Sequence, residues 1–406
     1  MTEVRTPRGN RGRLVWLFAL PLAAASGWHA LVMTNRAARP AVALALDSSE
    51  PIALARTAAL AVALADQKKQ PVAREVSDLS RRSIRGFAPN PQALSALATA
   101  SDPALSSDRA AKLVALADKV SQRDLFTQLL RIRLGLAKGD LEQVLDAYNK
   151  ALTAQEGSWA TLFPPLSQLL RVEEGRDAFV FFMRQNPPWL FSFFQFALNR
   201  TTTPQDYYDL LVRRNWLAKV ENNGKIQNLL VNSLVANRRW REAGSAFAYG
   251  GKSSADVLFS PRIDANTAEK GGNTLLWFFP EADGRSANVI GKRFLSVTAE
   301  PGRRGTVAQK ILYLAPGRYT LSTRYDGDAP SPDVETRWIM QCLTEPEGAT
   351  NELAVVRQNA GSVRRDTFTI GPQCAATRLL LDARGNPSAP FGGEVVISDI
   401  SLKRAG

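Results

Sequence analysis

Few residues in this 406-residue chain are of a kind that does chemistry, and their kinds limit what it does. The single histidine, His29, lies inside an apolar N-terminal run. A Ser-His-Asp triad, a Cys-His nucleophile pair and a histidine-rich zinc site all need imidazoles that the rest of the chain lacks. Carboxylates are plentiful, but glycoside hydrolysis needs two of them about 5–9.5 Å apart in a cleft. Glu173-Glu174 reads as a helix end, and Asp206 and Asp209 read as first-turn acids near a helix N-terminus. No pair stands apart from helix surface. The expectation is a protein that is not an enzyme and carries no catalytic residue, metal or cofactor.

Two cysteines, Cys342 and Cys374, stand 32 positions apart near the C-terminus. In one β-domain of an exported chain they most simply form a disulfide, the alternative being two buried thiols. Export is read from the N-terminus. Arg5, Arg8, Arg11 and Arg13 precede Leu14–Met33, twenty residues without Asp, Glu, Lys or Arg. As a helix that run measures about 30 Å, the thickness of a hydrocarbon core. The positive-inside rule holds residues 1–13 in the cytoplasm. The expectation is therefore a single-pass bacterial inner-membrane protein with its bulk in the periplasm. A cleaved signal peptide, with Ala23-Ala24-Ala25 as its processing site, is the competing reading.

At about 150 residues per domain the length implies two or three folded units. Residues 34–250 are rich in Ala, Leu, Arg and Gln, with apolar positions at helical spacing. Pro40, Pro51, Pro71, Pro91, Pro103, Pro164, Pro187 and Pro204 punctuate them. Helical pairs are expected at 51–85, 91–120, 123–153 and 222–249. Leu125, Leu129, Ile132 and Leu136 make one stripe, closed by Lys138-Gly139. The next helix presents Leu141, Val144, Leu145, Tyr148 and Leu152. The aromatic block from Phe179 to Phe196 reads as core, because each helix pair must bury a face against its neighbours.

From about residue 251 the period changes to two, with Gly250-Gly251 and Ser253-Ser254 as a linker. Strands are expected at 256–259, 274–279, 293–298, 307–314, 317–325, 334–343, 351–358, 364–370, 376–383 and 394–402. Ten short strands in that length imply an antiparallel sandwich.

Two resemblances follow from particular segments. Gly139-Asp140-Leu141-Glu142-Gln143 through Tyr148-Asn149-Lys150-Ala151-Leu152 resembles the second helix of a tetratricopeptide repeat, with a weaker echo at Asn237–Phe247. Leu314-Ala315-Pro316-Gly317-Arg318-Tyr319-Thr320-Leu321-Ser322 and Gly393–Leu402 resemble the entry and closing strands of galactose-binding-like jelly rolls, a fold common among carbohydrate-binding modules. Trp338–Cys342 and Phe368–Cys374 fall where those modules place paired central strands. Ser398-Asp399 stands where they often carry two aspartates, which calls their structural calcium site into question.

The fold class is thus α then β. A cytoplasmic tail (1–13) leads to a transmembrane signal-anchor (14–33), a tetratricopeptide-like α-solenoid (34–250) and a carbohydrate-binding-module-like β-sandwich (251–406). What the jelly-roll resemblance implies is a sugar site, an aromatic face with polar groups beside it. Trp277, Trp338 and Tyr325 are the candidate platforms, and Arg324 and Asp326, with Arg337, the candidate polar contacts. Alternation along 334–343 groups Trp338 with Met340 and Cys342 and turns it inward, and Trp277, between Leu276 and Phe278, also leans toward core.

The net charge of +13 is uneven. Residues 251–406 hold 19 basic and 17 acidic residues, whereas the helical section carries most of the excess. Arg81, Arg82 and Arg85 with Arg74, and Arg238, Arg239 and Arg241, are the candidate anionic-partner surfaces; a merely solvated basic surface is the alternative. An exported chain meets acidic polysaccharide or a membrane surface rather than nucleic acid. The layout is similar to that of accessory proteins of exopolysaccharide assembly. It implies an envelope scaffold whose solenoid binds partner proteins and whose jelly roll binds glycan. A structural adaptor of a secretion or division complex is the alternative.

Overall fold

The computed structural model describes residues 11–87, 89–100, 107–249, 256–263, 273–280, 282–291, 293–326, 333–345, 351–357 and 363–405. The chain divides into two compact units, Met1–Leu166 and Ser167–Gly406. The first is helical: α1 (Arg11–Ala38), α2 (Pro40–Leu46), α3 (Pro51–Gln67), α4 (Glu75–Gly86), α5 (Pro91–Thr99), α6 (Ser107–Val120), α7 (Leu125–Lys138), α8 (Leu141–Ala154) and most of α9 (Trp159–Leu169). Pro40, Pro51 and Pro91 open helices at the first position, where a missing N–H costs nothing. Pro164 does not punctuate: α9 runs through it and Pro165. Pro103 and the 250–254 linker lie outside the described residues.

The apolar run Leu14–Met33 forms most of α1, yet among the described residues no helix is long and apolar enough to cross a membrane. That finding overturns the transmembrane anchor and the single-pass inner-membrane placement. The run is diluted by alanines and by Ser26, Gly27 and His29, which contribute little or nothing to transfer into hydrocarbon. The far end of α1 is instead used by the protein. It packs on α2 and α3, and Val32 is buried there.

The α7–α8 hairpin shows how this unit is held. Asp124 caps α7 by accepting from the Thr127 N–H at 2.9 Å, and Asp140 caps α8 by accepting from the Gln143 N–H at 2.9 Å. Gly139 takes the left-handed conformation, φ 70°, that closes α7. Gly135 lets the two helices approach, since a Cβ there would meet Val144 Cγ2 at 2.7 Å. The buried face of α7 is Thr127, Gln128, Leu130, Ile132 and Gly135, while Leu129 and Leu136 are exposed. The expected leucine stripe is thus rotated, because its polar neighbours have buried partners. Thr127 Oγ1 pairs with Ser95 Oγ at 2.9 Å, and Gln128 Nε2 donates to Asp118 at 2.8 Å.

Asp118 also accepts from Lys150 Nζ at 3.0 Å and pairs with Arg131 at 3.3 Å, and Asp146 holds the same two cations at 3.1 and 2.8 Å. Burial alone would push the Asp118 carboxyl up. The hydrogen bonds from Gln128 and Lys150 and the charges of Arg131 and Lys150 outweigh it and hold the group below its ordinary value.

In the second unit α10 (Glu173–Met183), α11 (Leu190–Leu198), α12 (Pro204–Tyr208), α13 (Asn223–Ala236) and α14 (Trp240–Ala248) precede a short α15 (Asp256–Phe259), which replaces the strand expected at 256–259. Phe179, Trp189, Phe193 and Phe194 are buried with ring centroids 5.5–6.4 Å apart, so these rings are core, whereas Phe181 of the same block is exposed and Phe191 and Phe196 are half-buried.

Nine strands follow among the described residues: β1 (Arg285–Ile290), β2 (Phe294–Ala299), β3 (Arg304–Leu312), β4 (Gly317–Tyr325), β5 (Val334–Leu343), β6 (Asn351–Arg357), β7 (Val363–Ile370), β8 (Ala376–Gly385) and β9 (Gly393–Arg404). They form two antiparallel sheets, ordered β1-β2-β9-β4-β7 and β3-β8-β5-β6. Strand β1 was not expected, and 274–279 yields only a bridge between Phe278 and Gln309. The two expected central strands are not a pair. β5 and β7 lie in opposite sheets and face the same core. That core centres on Trp338, Leu295, Val297, Leu379, Leu381 and Ile397.

Cys342 at the end of β5 is disulfide-bonded to Cys374, in the turn before β8, with Cα atoms 5.3 Å apart. Both are buried. For a loop of 32 residues the chain-entropy model gives about 3–4 kcal/mol. At roughly 2–4 °C per kcal/mol, replacing both cysteines by alanine is expected to lower the melting temperature of this unit by about 10 °C in calorimetry. A second prediction concerns Asp118. Its lowered folded-state value means that it stabilises above its unfolded value, and that the contribution is lost as pH falls through the folded one. Circular dichroism melts from about pH 5 downward should show an acid-driven loss of helix that Asp118→Asn flattens.

Candidate binding site on the outer face of the four-stranded sheet

Strand alternation sorts the side chains of β5. Val334, Thr336, Trp338, Met340 and Cys342 enter the core, leaving Glu335, Arg337, Ile339, Gln341 and Leu343 on the outer face. On β8 the inward set is Leu379, Leu381 and Ala383, and the outward set is Arg378, Leu380, Asp382 and Arg384. A register shift between Thr306 and Ala308 of β3 keeps Thr306 opposite Asp382 while Ala308 and Leu312 join the core.

Cross-strand register then builds rows. Arg304, Arg384 and Glu335 lie side by side, and Thr306, Asp382 and Arg337 form the next row. Asp382 accepts from Thr306 Oγ1 at 2.7 Å and from Arg337 Nε and Nη2 at 3.1 and 2.8 Å. Further along, Arg378 Nε and Nη2 donate to Gln341 Oε1 at 3.0 and 2.7 Å, and burial lowers the Arg378 pKa.

One end of this face is closed. Tyr313, just past β3, donates to Trp240 O of α14 at 2.8 Å, and Glu345, past β5, accepts the Arg241 N–H at 2.8 Å. Burial pushes the Tyr313 hydroxyl up, and the charge of Glu345 adds to it. At that end Ile311, Ile339 and Leu343 are buried. The other end is open. It holds a cavity of about 360 Å³ lined by Arg304, Gly305, Glu335, Arg337, Asp382 and Arg384. Three guanidiniums face two carboxylates there, and one of those carboxylates is committed to Arg337. The arrangement offers planar, bidentate donors to an anionic group such as a carboxylate.

The residues expected to form a sugar site are not brought together. Trp277 is buried, stacked on Phe279 at 6.2 Å and edge-on to Trp338 at 6.1 Å, with Lys310 Nζ 5.7 Å over its ring. Its Nε1 donates to Arg262 O at 3.0 Å. No face is left for a ligand. Tyr325 is buried and pairs with Thr336 at 3.1 Å. Its neighbours Arg324, on β4, and Asp326, just past the strand end, are exposed, because alternation turns adjacent residues apart.

Among the basic candidates, Arg81, Arg82 and Arg85 are exposed on α4, and Arg82 Nη2 donates to Ser48 O at 2.7 Å. Arg238 occupies the α13–α14 turn with φ 58°, and Arg239 is paired with Glu242. Arg241 is exposed. Arg304, Glu335, Asp382 and Arg384 were not singled out by the sequence reading. Their signal was the charged outward positions of three strands, β3, β5 and β8, whose inward positions are mostly apolar. Among the described residues no group of three or more His, Cys, Asp or Glu could hold a metal ion.

No protein-family model matches this sequence, and no curated protein matches it. Among solved structures, the chain is similar over its sandwich to TmCBM61 in complex with β-1,4-galactotriose, at 12% identity and TM-score 0.23, covering 36% of this chain and 99% of that one. A CBM4 module matches at 15% identity and TM-score 0.25, covering 38% and 100%. The CBM22-1 xylan-binding domain of Paenibacillus barcinonensis Xyn10C matches at 14% and 0.25, covering 37% and 97%. The β domain resembles carbohydrate-binding modules. At these scores the likeness adds nothing to the strand order already described.

Inward and outward residues of one strand should differ in cost. Trp338→Ala is expected to lose about 3–5 kcal/mol, whereas Arg337→Ala, next to it, removes a half-exposed ion pair worth at most about 1 kcal/mol. Urea unfolding of the two variants checks this.

Proposed function

We propose that this chain is a non-catalytic binding protein whose β-sandwich takes an acidic polysaccharide on the open end of the four-stranded sheet. The observation that carries the reading is the cavity in which Arg304, Arg337 and Arg384 converge. A uronic-acid carboxylate accepts two parallel hydrogen bonds from a guanidinium fork, and Glu335 and Asp382 are placed to accept from sugar hydroxyls. Asp382 is engaged by Arg337 and Thr306, which supports a positioning rather than an acid–base role. In this reading the paired helices of the first unit are the protein-binding part. Their groove, lined by Val62, Val72, Val114, Leu130 and Leu134 with the Asp66–Arg133 pair at 2.8 Å beside it, supports a scaffold role.

The test is calorimetric titration of the intact chain with alginate, with dextran and duplex DNA as comparisons. Alginate binding is expected to weaken with salt, as exposed charge pairs do. The double variant Arg304→Ala/Arg384→Ala should weaken it about tenfold or more. Absence of alginate binding, indifference to the double variant, or equal capture of DNA would overturn the proposal.

A further inference from the structure

In the helices of the second unit several arginines are matched by carboxylates. Arg176 pairs with Asp206 and Asp209, Arg214 with Glu173, Asp177 and Asp209, and Arg239 with Glu242. Another set is held by aromatic rings instead. Arg184 Cζ lies 5.2 Å and Lys219 Nζ 4.5 Å from the Trp216 ring centroid, and Lys225 Nζ lies 5.7 Å from that of Phe191. All three cations are exposed, and among the described residues none of them forms an ion pair. Arg184 and Lys219 share one indole, so two like charges are kept together without a counter-charge, an arrangement that an anion relieves.

The three come from element ends that adjoin. Arg184 ends α10, Lys219 ends the short 3-10 turn Leu217–Lys219, and Lys225 stands in the first turn of α13. The Glu221 N–H donates to Asn186 Oδ1 at 3.4 Å, which ties the turn before α13 to the turn after α10. α13 also packs on α11 and on the Leu217–Lys219 turn. The segments Arg184–Phe191 and Trp216–Lys225 hold these three basic residues and one acidic residue, Glu221. The start of α13 adds to the positive field. Asn222, with φ 56°, provides no side-chain cap, and a Cβ on Gly224 would meet no atom within 4 Å, so this end of the helix opens to solvent beside Lys225. Phe181, three residues before Arg184 on α10, is 52% exposed. At that spacing it neighbours Arg184 on the helix surface.

From this juxtaposition we infer that the joined ends of α10, the Leu217–Lys219 turn and α13 are a docking surface for an acidic protein segment that carries an apolar residue. Carboxylates on such a segment meet Arg184, Lys219, Lys225 and the open start of α13. The cations are already ordered over their rings, so less side-chain freedom is lost when they bind. Phe181 takes the apolar side chain, which a wholly polar polyanion lacks. The inference goes beyond the glycan reading of the sandwich and does not rest on it.

Fluorescence anisotropy of the intact chain with a labelled twelve-residue peptide of repeated Glu-Glu-Leu tests it, with a repeated Glu-Glu-Ser peptide, alginate and phosphatidylglycerol vesicles as comparisons. The leucine peptide is expected to bind, more weakly as salt rises and more tightly than the serine peptide. Lys219→Glu/Lys225→Glu should weaken it about tenfold or more, and Phe181→Ser should remove the preference for leucine over serine. Arg304→Ala/Arg384→Ala should leave peptide binding unchanged, so the outcome is separate from that of the alginate titration. Circular dichroism melts of the Lys219→Glu/Lys225→Glu variant are expected to match the unaltered chain, because both side chains are exposed. No binding of the leucine peptide by the unaltered chain, or binding indifferent to the lysine double variant, overturns the inference. Alginate or vesicle binding through the same lysines without peptide binding overturns it as well.

Discussion

Trp338 stands in the middle of β5 without exposed surface, and alternation along that strand ties much of the sandwich to it. With the indole inward, Thr336, Met340 and Cys342 must follow it, and Glu335, Arg337 and Gln341 must face out. Register passes the same division to β8, then to β3. The inward halves form one continuous core between the sheets, closed near one end by the Cys342–Cys374 bond. The outward halves cannot be apolar at the uncovered end, because water reaches them. Arginine and carboxylate in rows are what that end presents.

The helices of the second unit complete the division. α14 is tied to the far ends of β3 and β5 through Tyr313 and Glu345, where Ile311, Ile339 and Leu343 are buried. A sheet face that was uniformly polar or uniformly apolar would not tolerate this. The face differs along the strands: Ile311, Ile339 and Leu343 are buried toward the helices, where Arg378 is paired with Gln341, and Arg304, Arg337 and Arg384 are exposed at the opening.

In the first unit polar residues do part of the packing. Gln128, Thr127 and Ser95 are fully buried, and each has a partner on a neighbouring helix or its preceding turn. Asp118, Arg131, Asp146 and Lys150 then link α6, α7 and α8 through a partly buried network. Such contacts depend on direction and distance more than apolar ones do. They fix the rotation of α7 against the simpler alternative in which Leu129 and Leu136 face inward.

Much of the framework was legible in residue order. Proline at helix starts, Gly139 with its left-handed φ, and the period of two from β2 onward act over a few residues, and local physics is what a sequence states directly. The sandwich strands and the four helical pairs follow from those signals, as does the pairing of two cysteines in one β-domain. What remained hidden depended on partners distant in the chain. Trp277 is spent on Phe279 and Trp338, and Tyr325 on Thr336, so neither serves as a platform. β1, whose residues Arg285–Ile290 do not alternate strictly, is a strand through its antiparallel pairing with β2. The apolar run of α1 has the length of a membrane span, but its composition and its packing on α2 and α3 decide otherwise. The arginine cavity joins residues 304, 335, 337, 382 and 384, and only register between strands brings them together. The order of residues determined which segments are helix, strand and turn; tertiary packing decided which face of each meets water, because that choice is made by neighbours far away in the chain.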